Sequence, residues 1–194
     1  NARRNKVPVF IDAEESWIQD AIDKGFKNIN LFIGGSATND GAIGIAHALG
    51  YRFYDTLGNP LSPVGKNLIK IDTIDSRKMT SNFKDFNIEV FCDVNNLMYG
   101  TEGASFIYAA QKGASPSQVK LLDEGLKNLV AKLIENDYKN ISDIPGSGAA
   151  GGVGGGSIAF LDAKLVSGID KIIEVVQLEK LISNCDLIIT GEGK

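Results

Sequence analysis

Three apolar runs in this chain each hand over to polar residues able to do chemistry. Ile29 to Ile33 leads to Ser36, Thr38, Asn39 and Asp40; Ile88 to Cys92 leads to Asp93, Asn95 and Asn96; Leu187 to Ile189 leads to Thr190 and Glu192. Read as strands, these runs would end at the carboxyl edge of an open α/β sheet. Ligands bind at that edge because loops there meet helix N-termini, whose unpaired N–H groups favour anions. Gly34 and Gly35 let the main chain come close to a ligand, and Ser36, Thr38 and Asn39 offer hydrogen bonds without charge. Asp40 stands where a carboxylate can act as base, orient a hydroxyl or hold a cation, and it is equally suited to capping the helix behind it. Asp93 is a second carboxylate at a strand end, able to exchange roles with Asp40.

A different feature lies at Pro145 to Gly156, where seven of the last eleven residues are glycine. Gly146-x-Gly148-x-x-Gly151 has the form of a dinucleotide fingerprint, but no convincing strand precedes it. What remains is an anion nest over Gly146, Gly148, Gly151 and Gly152, whose adjacent N–H groups suit a phosphate or carboxylate. Lys112 follows a short helix, Ala104 to Ala110, and can neutralise a phosphate or complement the helix C-terminus. His47, the only histidine, sits between Ala46 and Ala48 with no acid or nucleophile near it in sequence, which reads as a packed or exposed helix residue and not a catalyst. There is no G-x-x-x-x-G-K-[ST] segment and no protein-kinase signature. Cys92 and Cys185 lie far apart in apolar runs and read as buried free thiols, and with one histidine there is no Cys/His metal cluster.

The elements that must carry these residues alternate between strand and helix, which predicts an α/β fold with a parallel or mixed sheet. Asp12 with Glu15 suits a capped helix through Trp17, Ile18, Ala21 and Ile22, ended by Gly25. Ala42 to Leu49 reads as a short helix closed by Gly50, and Tyr51 to Asp55 as a strand before the Gly58-Asn59-Pro60 turn. Leu68 to Ile74 fits either a helix or a strand. Ser115-Pro-Ser-Gln118 opens the clearest helix, with Val119, Leu122, Leu126, Leu129, Val130, Leu133 and Ile134 along one face. An apolar helix is predicted from about Ile158 to Val166, further helix to about Ser183, and then a final strand over Leu187 to Ile189.

Composition bounds the function. The 194 residues are 43% hydrophobic and 23% charged, with a formal net charge of −4. That is enough apolar material for a core, and it lacks the basic face that nucleic acid requires. Val7 to Ile11 is too short for a signal-peptide core and no run reaches membrane-spanning length, so a cytoplasmic location is expected. Asn1-Ala2 reads as a cloning remnant, and the ending at Thr190-Gly-Glu-Gly-Lys194 suggests a strand cut short as it enters a functional loop.

Taken together, four glycine-bearing segments occur in an order that resembles the bacterial glycerate kinase family, a type unrelated to P-loop kinases. They are Gly34-Gly-Ser-Ala-Thr-Asn-Asp-Gly41 with Ala48-Leu-Gly50; Cys92-Asp-Val-Asn-Asn96 with Gly103-Ala104 and Gln111-Lys-Gly-Ala114; Pro145-Gly-Ser-Gly-Ala-Ala-Gly-Gly152; and Thr190-Gly-Glu-Gly193. The resemblance implies ATP-dependent phosphorylation of D-glycerate, with 2-phosphoglycerate favoured, magnesium as the accompanying cation, and a two-domain α/β enzyme of about twice this length. Residues 3–194 would then be part of that enzyme: mostly an inserted domain, about 12–184, with 185–194 entering the partner domain. The remainder of the polypeptide would be this chain's partner, and without it the fragment is expected to be inactive. Asp40 and Lys112 are the expected catalytic groups, and Asp93 with Glu192 the magnesium ligands. Gly34, Gly35, Ser36, Thr38, Asn39, Asn95, Asn96, Thr190 and the glycine nest would contact substrate or phosphate. Leu97-Met98, Ala110 and Ala42 depart from the usual Pro-Leu, proline and glycine. The alternatives are a non-catalytic binding or regulatory domain with the same pocket, and a kinase of another small hydroxyacid.

Overall fold

A computed structural model of the chain describes residues 9–12, 17–79, 82–189 and 191. A four-stranded parallel sheet is built from β1 (Val9–Asp12), β2 (Asn28–Phe32), β5 (Asn87–Phe91) and β6 (Lys164–Val166), in the order β1-β2-β5-β6. β3 (Arg52–Tyr54) and β4 (Thr73–Asp75) form a separate antiparallel pair. The helices are α1 (Trp17–Asp23), α2 (Ile43–Ala48), α3 (Pro116–Glu135), α4 (Ala149–Leu161), α5 (Gly168–Val176) and α6 (Leu178–Ile182). None of the described helices is long and apolar enough to cross a membrane.

The register explains why two polar loops lie side by side. Ile29 pairs with Ile88, Leu31 with Val90 and Phe32 with Phe91, so β2 and β5 finish level. Ile29, Leu31, Ile88 and Val90, alternate residues that share one face of the sheet, are all buried. The loops after Phe32 and Phe91 therefore leave the sheet at one edge, next to each other.

α3 begins as its residues dictate. Ser115 Oγ accepts the Gln118 N–H, Gln118 Oε1 accepts the Ser115 N–H at 2.7 Å, and Pro116 occupies the first turn. Ser115→Ala should cost about 1 kcal/mol, read as a lowered denaturant midpoint of the full-length protein. Val119, Leu126, Leu129, Val130 and Leu133 are buried as the stripe predicts, whereas Leu122 is half-buried and Ile134 is 47% exposed. Gly125 on the same helix lets it close on a 3₁₀ turn, Gly65–Lys70; a Cβ there would stand 2.8 Å from Leu68 Cβ.

Several expectations are corrected. Val9 to Asp12 is a strand beside β2, so Asp12 ends β1, and any cap of α1 lies outside the described residues. Leu68 to Ile74 divides between the 3₁₀ turn and β4. Ala104 to Ala110 includes a π-helical turn, Ser105–Ala109. The apolar helix begins before Ile158: α4 is kinked at Ala150, Gly151 and Gly152, whose left-handed φ of 53°, 68° and 90° are not helical, and its regular turns run from there to Leu161, with Asp162 left-handed at φ 52°; residues 164–166 form β6 instead. Packing overrides the poor helix propensity of Gly154, Gly155 and Gly156, which follow the kink. A Cβ at Gly156 would overlap Gly41 O and lie 2.6 Å from Ala42 Cβ, and one at Gly155 would lie 2.7 Å from Met98 Sδ.

Leu187 to Ile189 forms no strand with any described residue and stands 75%, 54% and 87% exposed. An apolar run becomes a strand only beside a neighbour that takes its N–H and C=O groups, and none of the described strands lies beside it. Cys185 just before it is exposed, not buried, and Cys92 is half-buried. α5 and α6 extend this uncovered surface: Ile169, Ile172, Val175, Val176 and Leu181 are all exposed. Ala42, where the resembled family commonly has glycine, adopts φ 64°, a left-handed conformation costly for a residue with a Cβ.

Candidate active site at the strand ends

A cavity of about 380 Å³ opens at the sheet edge reached by β2 and β5. From β2 and its loop come Phe32, Gly34, Gly35 and Ser36. From β5 and its loop come Phe91, Cys92, Asp93 and Val94. Tyr108, Gln111 and Lys112 enter from the π-helical turn and its end, and Ala149, Ala150, Gly168 and Ile172 from the starts of α4 and α5. Five of the sequence-predicted site residues thus meet in one place: Gly34, Gly35, Ser36, Asp93 and Lys112.

Lys112 ties the site together. Its Nζ donates to Thr38 O at 2.7 Å and to Ser36 Oγ at 3.3 Å, which joins the helical segment to the glycine-rich loop after β2. It is the one cationic side chain among the described residues that line the cavity. Asp93 is the one carboxylate among them. Its Oδ1 accepts the N–H groups of Gly168 at 2.8 Å and Ile169 at 3.2 Å, anchoring the start of α5. A Cβ on Gly168 would lie 2.6 Å from Asp93 Oδ2, so glycine is what allows the carboxylate to sit so close to the helix.

Asp40 is placed differently. Oδ1 accepts the Ala42 N–H and Oδ2 the Gly44 N–H, both at 3.1 Å, so both oxygens serve the start of α2. Burial raises its pKa, opposed by hydrogen bonds from Thr38 and from the Gly44 and Ala42 amides. It does not line the cavity. Of the two roles its position allowed, capping is the one this geometry displays.

Asn39 donates from Nδ2 to Ser105 Oγ at 3.1 Å and borders a separate depression with Ser62, Lys66, Asn67 and Lys70. Asn96 also serves the scaffold: its Nδ2 donates to Glu102 O at 2.9 Å and its Oδ1 accepts the Tyr108 hydroxyl at 2.5 Å. Asn95 is exposed and outside the cavity lining. Thr190 and Glu192 lie outside the described residues.

The glycines expected to form a nest are buried against the protein's own main chain. A Cβ at Gly148 would overlap Leu97 O. One at Gly151 would overlap Thr38 O and stand 2.5 Å from Asn39 Cα, and one at Gly146 would be 3.0 Å from Cys92 Sγ. Gly152 approaches Gly41 Cα in the same way, and the Gly41 N–H donates to Gly151 O at 3.1 Å. Close backbone approach is indeed what these glycines permit, but it is approach to the two strand-end loops. Ala149 and Ala150 are the residues of this segment that reach the cavity.

Sequence reasoning missed Phe32, Phe91, Tyr108, Gln111 and Ile172 as lining residues. Gln111 carried a signal, because it stands next to Lys112 in a glycine-bearing segment. Tyr108 carried none, since its direction depends on the π-helical turn, a rare feature often found at functional sites. Burial raises the pKa of Tyr108 and that of Cys92, so both are protonated at neutral pH.

The carboxylates also decide how a magnesium ion would fit. Among the described residues no group of three or more His, Cys, Asp or Glu side chains could hold a metal. Asp93 lines the cavity, and both of its amide bonds to the start of α5 go to Oδ1. One carboxylate suits magnesium that arrives on phosphate oxygens and keeps most of its waters, not an ion held by a protein cage.

Comparison with known proteins agrees with this architecture. Residues 16–194 match the model of the Glycerate kinase family. The chain is similar to the glycerate kinase of Halalkalibacterium halodurans, with 42% identity over 176 residues, covering 90% of this chain and 46% of that protein. It is similar to the glycerate 2-kinase of Escherichia coli K12 at 41% identity, covering 91% of this chain and 46% of that one. A crystal structure described as a candidate glycerate kinase 2 from Salmonella typhimurium LT2 superposes with a TM-score of 0.84 at 34% identity, over 96% of this chain and 56% of its own. The chain spans about half the length of these relatives. With a family match over nearly all its residues and a shared α/β fold, the chain belongs to the glycerate kinase family.

Proposed function

We propose that the full-length protein transfers the γ-phosphoryl group of ATP to a hydroxyl of D-glycerate, giving 2-phosphoglycerate in preference to the 3-isomer, at the cavity described above. The observation that carries this reading is the meeting of Lys112, Ser36 and the Gly34-Gly35 backbone at the ends of two parallel strands in a glycerate kinase family member. Phosphoryl transfer asks a protein mainly for positioning and charge neutralisation. The glycerate oxygen forms a bond to phosphorus, the bond from phosphorus to the β–γ bridging oxygen breaks, ADP leaves and the hydroxyl proton is lost.

Lys112 neutralises charge on the moving group, and Ser36 with the Gly34 and Gly35 amides hydrogen-bonds its oxygens. Asp93 is the carboxylate placed to receive the hydroxyl proton or to ligate magnesium through Oδ2; magnesium would supply further neutralisation of phosphate charge. Asp40 holds the glycine-rich loop at the start of α2, an assignment supported by the two amides it accepts. Glu192 is kept as a second magnesium ligand and Thr190 as a phosphate contact on the Thr190-Gly-Glu-Gly193 segment alone.

The remaining polypeptide would cover the exposed apolar side chains of α5, α6 and Leu187 to Ile189, and the exposure of Leu187 to Ile189 is the support for a domain boundary near residue 184. The 194-residue piece by itself would then be inactive. Full-length protein should release ADP when given D-glycerate, ATP and magnesium, and release it more slowly with other small hydroxyacids. No ADP with any of them would reject the kinase reading, and separation of the phosphoglycerate isomers tests the regiochemistry.

A further inference from the structure

The segment that carries Lys112 is fastened on both sides. The π-helical turn before it is buried at Ala104, Ser105 and Ala109. Asn39 Nδ2 donates to Ser105 Oγ at 3.1 Å and the Tyr108 hydroxyl donates to Asn96 Oδ1, so the loops after β2 and β5 hold the body of this turn. On the other side α3 is fixed by its capping box at Ser115 and by its buried stripe. Residues 110–114 have to join the two.

The joint is made by a reversal at Gly113. Its N–H donates to Ala110 O and the Ala114 N–H donates to Ala109 O, both at 3.0 Å, which are the paired bonds of a Schellman ending. Gly113 supplies the left-handed backbone that this ending needs, with φ +93°. A Cβ there would meet nothing within 4 Å, so it is conformation and not space that asks for glycine. A residue branched at Cβ avoids this region, whereas asparagine enters it. With both flanks fixed, a residue 113 that cannot turn left-handed passes the reversal to its neighbours, and Lys112 is one of them.

We infer that Gly113 is a positioning residue for Lys112: its left-handed turn sets the helix end from which Nζ reaches Thr38 O and Ser36 Oγ. The catalytic consequence rests on the kinase reading of the cavity; the placement of Nζ rests on the geometry of the joint.

The test uses full-length protein and two readouts. The first is the rate at which acetic anhydride acylates Lys112 relative to the exposed Lys139, followed by peptide mass spectrometry. The second is kcat. Gly113→Val should acylate severalfold faster at Lys112, because the ammonium is released from its two acceptors, and should lose about tenfold or more in kcat through misplacement. Gly113→Asn should stay within about twofold of the parent in both. Gly58→Val puts the same strain at φ +79°, in open space and outside the cavity lining, and should lower the unfolding midpoint without moving either readout. In a Lys112→Met background Gly113→Val should cost no further kcat, since a residue that acts through Lys112 has nothing left to place. If Gly113→Val does not fold, Gly113→Ala should show smaller changes in the same directions. Parental acylation of Lys112 in a folded Gly113→Val or Gly113→Ala protein would overturn the inference, as would an undiminished loss of kcat in the Lys112→Met background or an equal loss with Gly113→Asn. Acylation needs no turnover, so protein that shows the acylation pattern yet phosphorylates no glycerate supports the positioning role while defeating the kinase reading.

Discussion

Lys112→Ala is expected to lower kcat/KM for glycerate phosphorylation by the full-length protein about 10²- to 10³-fold, equivalent to about 2.7 to 4 kcal/mol of transition-state stabilisation. The magnitude follows from position. Nζ lies in the strand-end cavity, held by Thr38 O and Ser36 Oγ, so its charge is already oriented when phosphoryl charge develops. A preorganised cation of this kind needs no rearrangement during the reaction. Because the same ammonium also ties two segments together, Lys112→Met serves as a companion that keeps the stem and removes the charge. If charge is what matters, both variants lose most of their kcat while their denaturant midpoints stay close to that of the parent. Loss of the midpoint with nearly normal kcat would reduce Lys112 to a structural tie.

Gly151→Ala is expected to destabilise the protein by about 4 kcal/mol, enough to consume much of an ordinary domain's stability. Two costs combine. Gly151 has φ +68°, where a side chain is disfavoured, and its Cβ would overlap Thr38 O, a main-chain atom fixed by the glycine-rich loop. That loop cannot retreat cheaply, since Gly41 N–H bonds to Gly151 O and Lys112 bonds to Thr38 O. Gly58→Ala isolates the first cost: Gly58 has φ +79° with nothing near its Cβ position, and should lose only about 1 to 2 kcal/mol. Urea unfolding of the two variants measures the difference, and equal losses would show that the close approach to Thr38 carries no weight.

These two residues also show how the sequence could and could not be read. Lys112 was legible because its neighbours Gln111 and Gly113 mark a segment end and a cation is useful to a phosphate. The bond to Thr38 O was not, since it spans 74 positions of sequence. The need for glycine at 146 to 156 was equally plain, and its reason was not. Composition says that a backbone must come close to something, and only the fold shows that the something is the main chain of residues 38–41 and 96–97.

Asp40 and Asp93 make the same point. Both follow an apolar strand, and nothing in their order tells them apart. What separates them is the chain that comes next. Ala42 and Gly44 turn their amides back onto Asp40, whereas Asp93 bonds the start of α5, 75 residues later, and is among the residues that line the cavity. β2, β5 and α3 were readable from local pattern because burial and capping are local signals. β6 and the helical glycines of α4 depend on packing partners distant in sequence, and Leu187 to Ile189 has a strand's composition without a described neighbour to pair with.

The central claim is that phosphoryl transfer to glycerate takes place at the Lys112 cavity. The most direct measurement incubates full-length protein, its Lys112→Ala variant and a Lys139→Ala control with D-glycerate, magnesium and ATP labelled in the γ-phosphoryl group. Label should pass to phosphoglycerate in amounts equal to the ADP formed with the parent and with Lys139→Ala, and fall at least about a hundredfold with Lys112→Ala. Transfer at the parental rate by a folded Lys112→Ala protein, or ADP formed without labelled phosphoglycerate, would contradict the account.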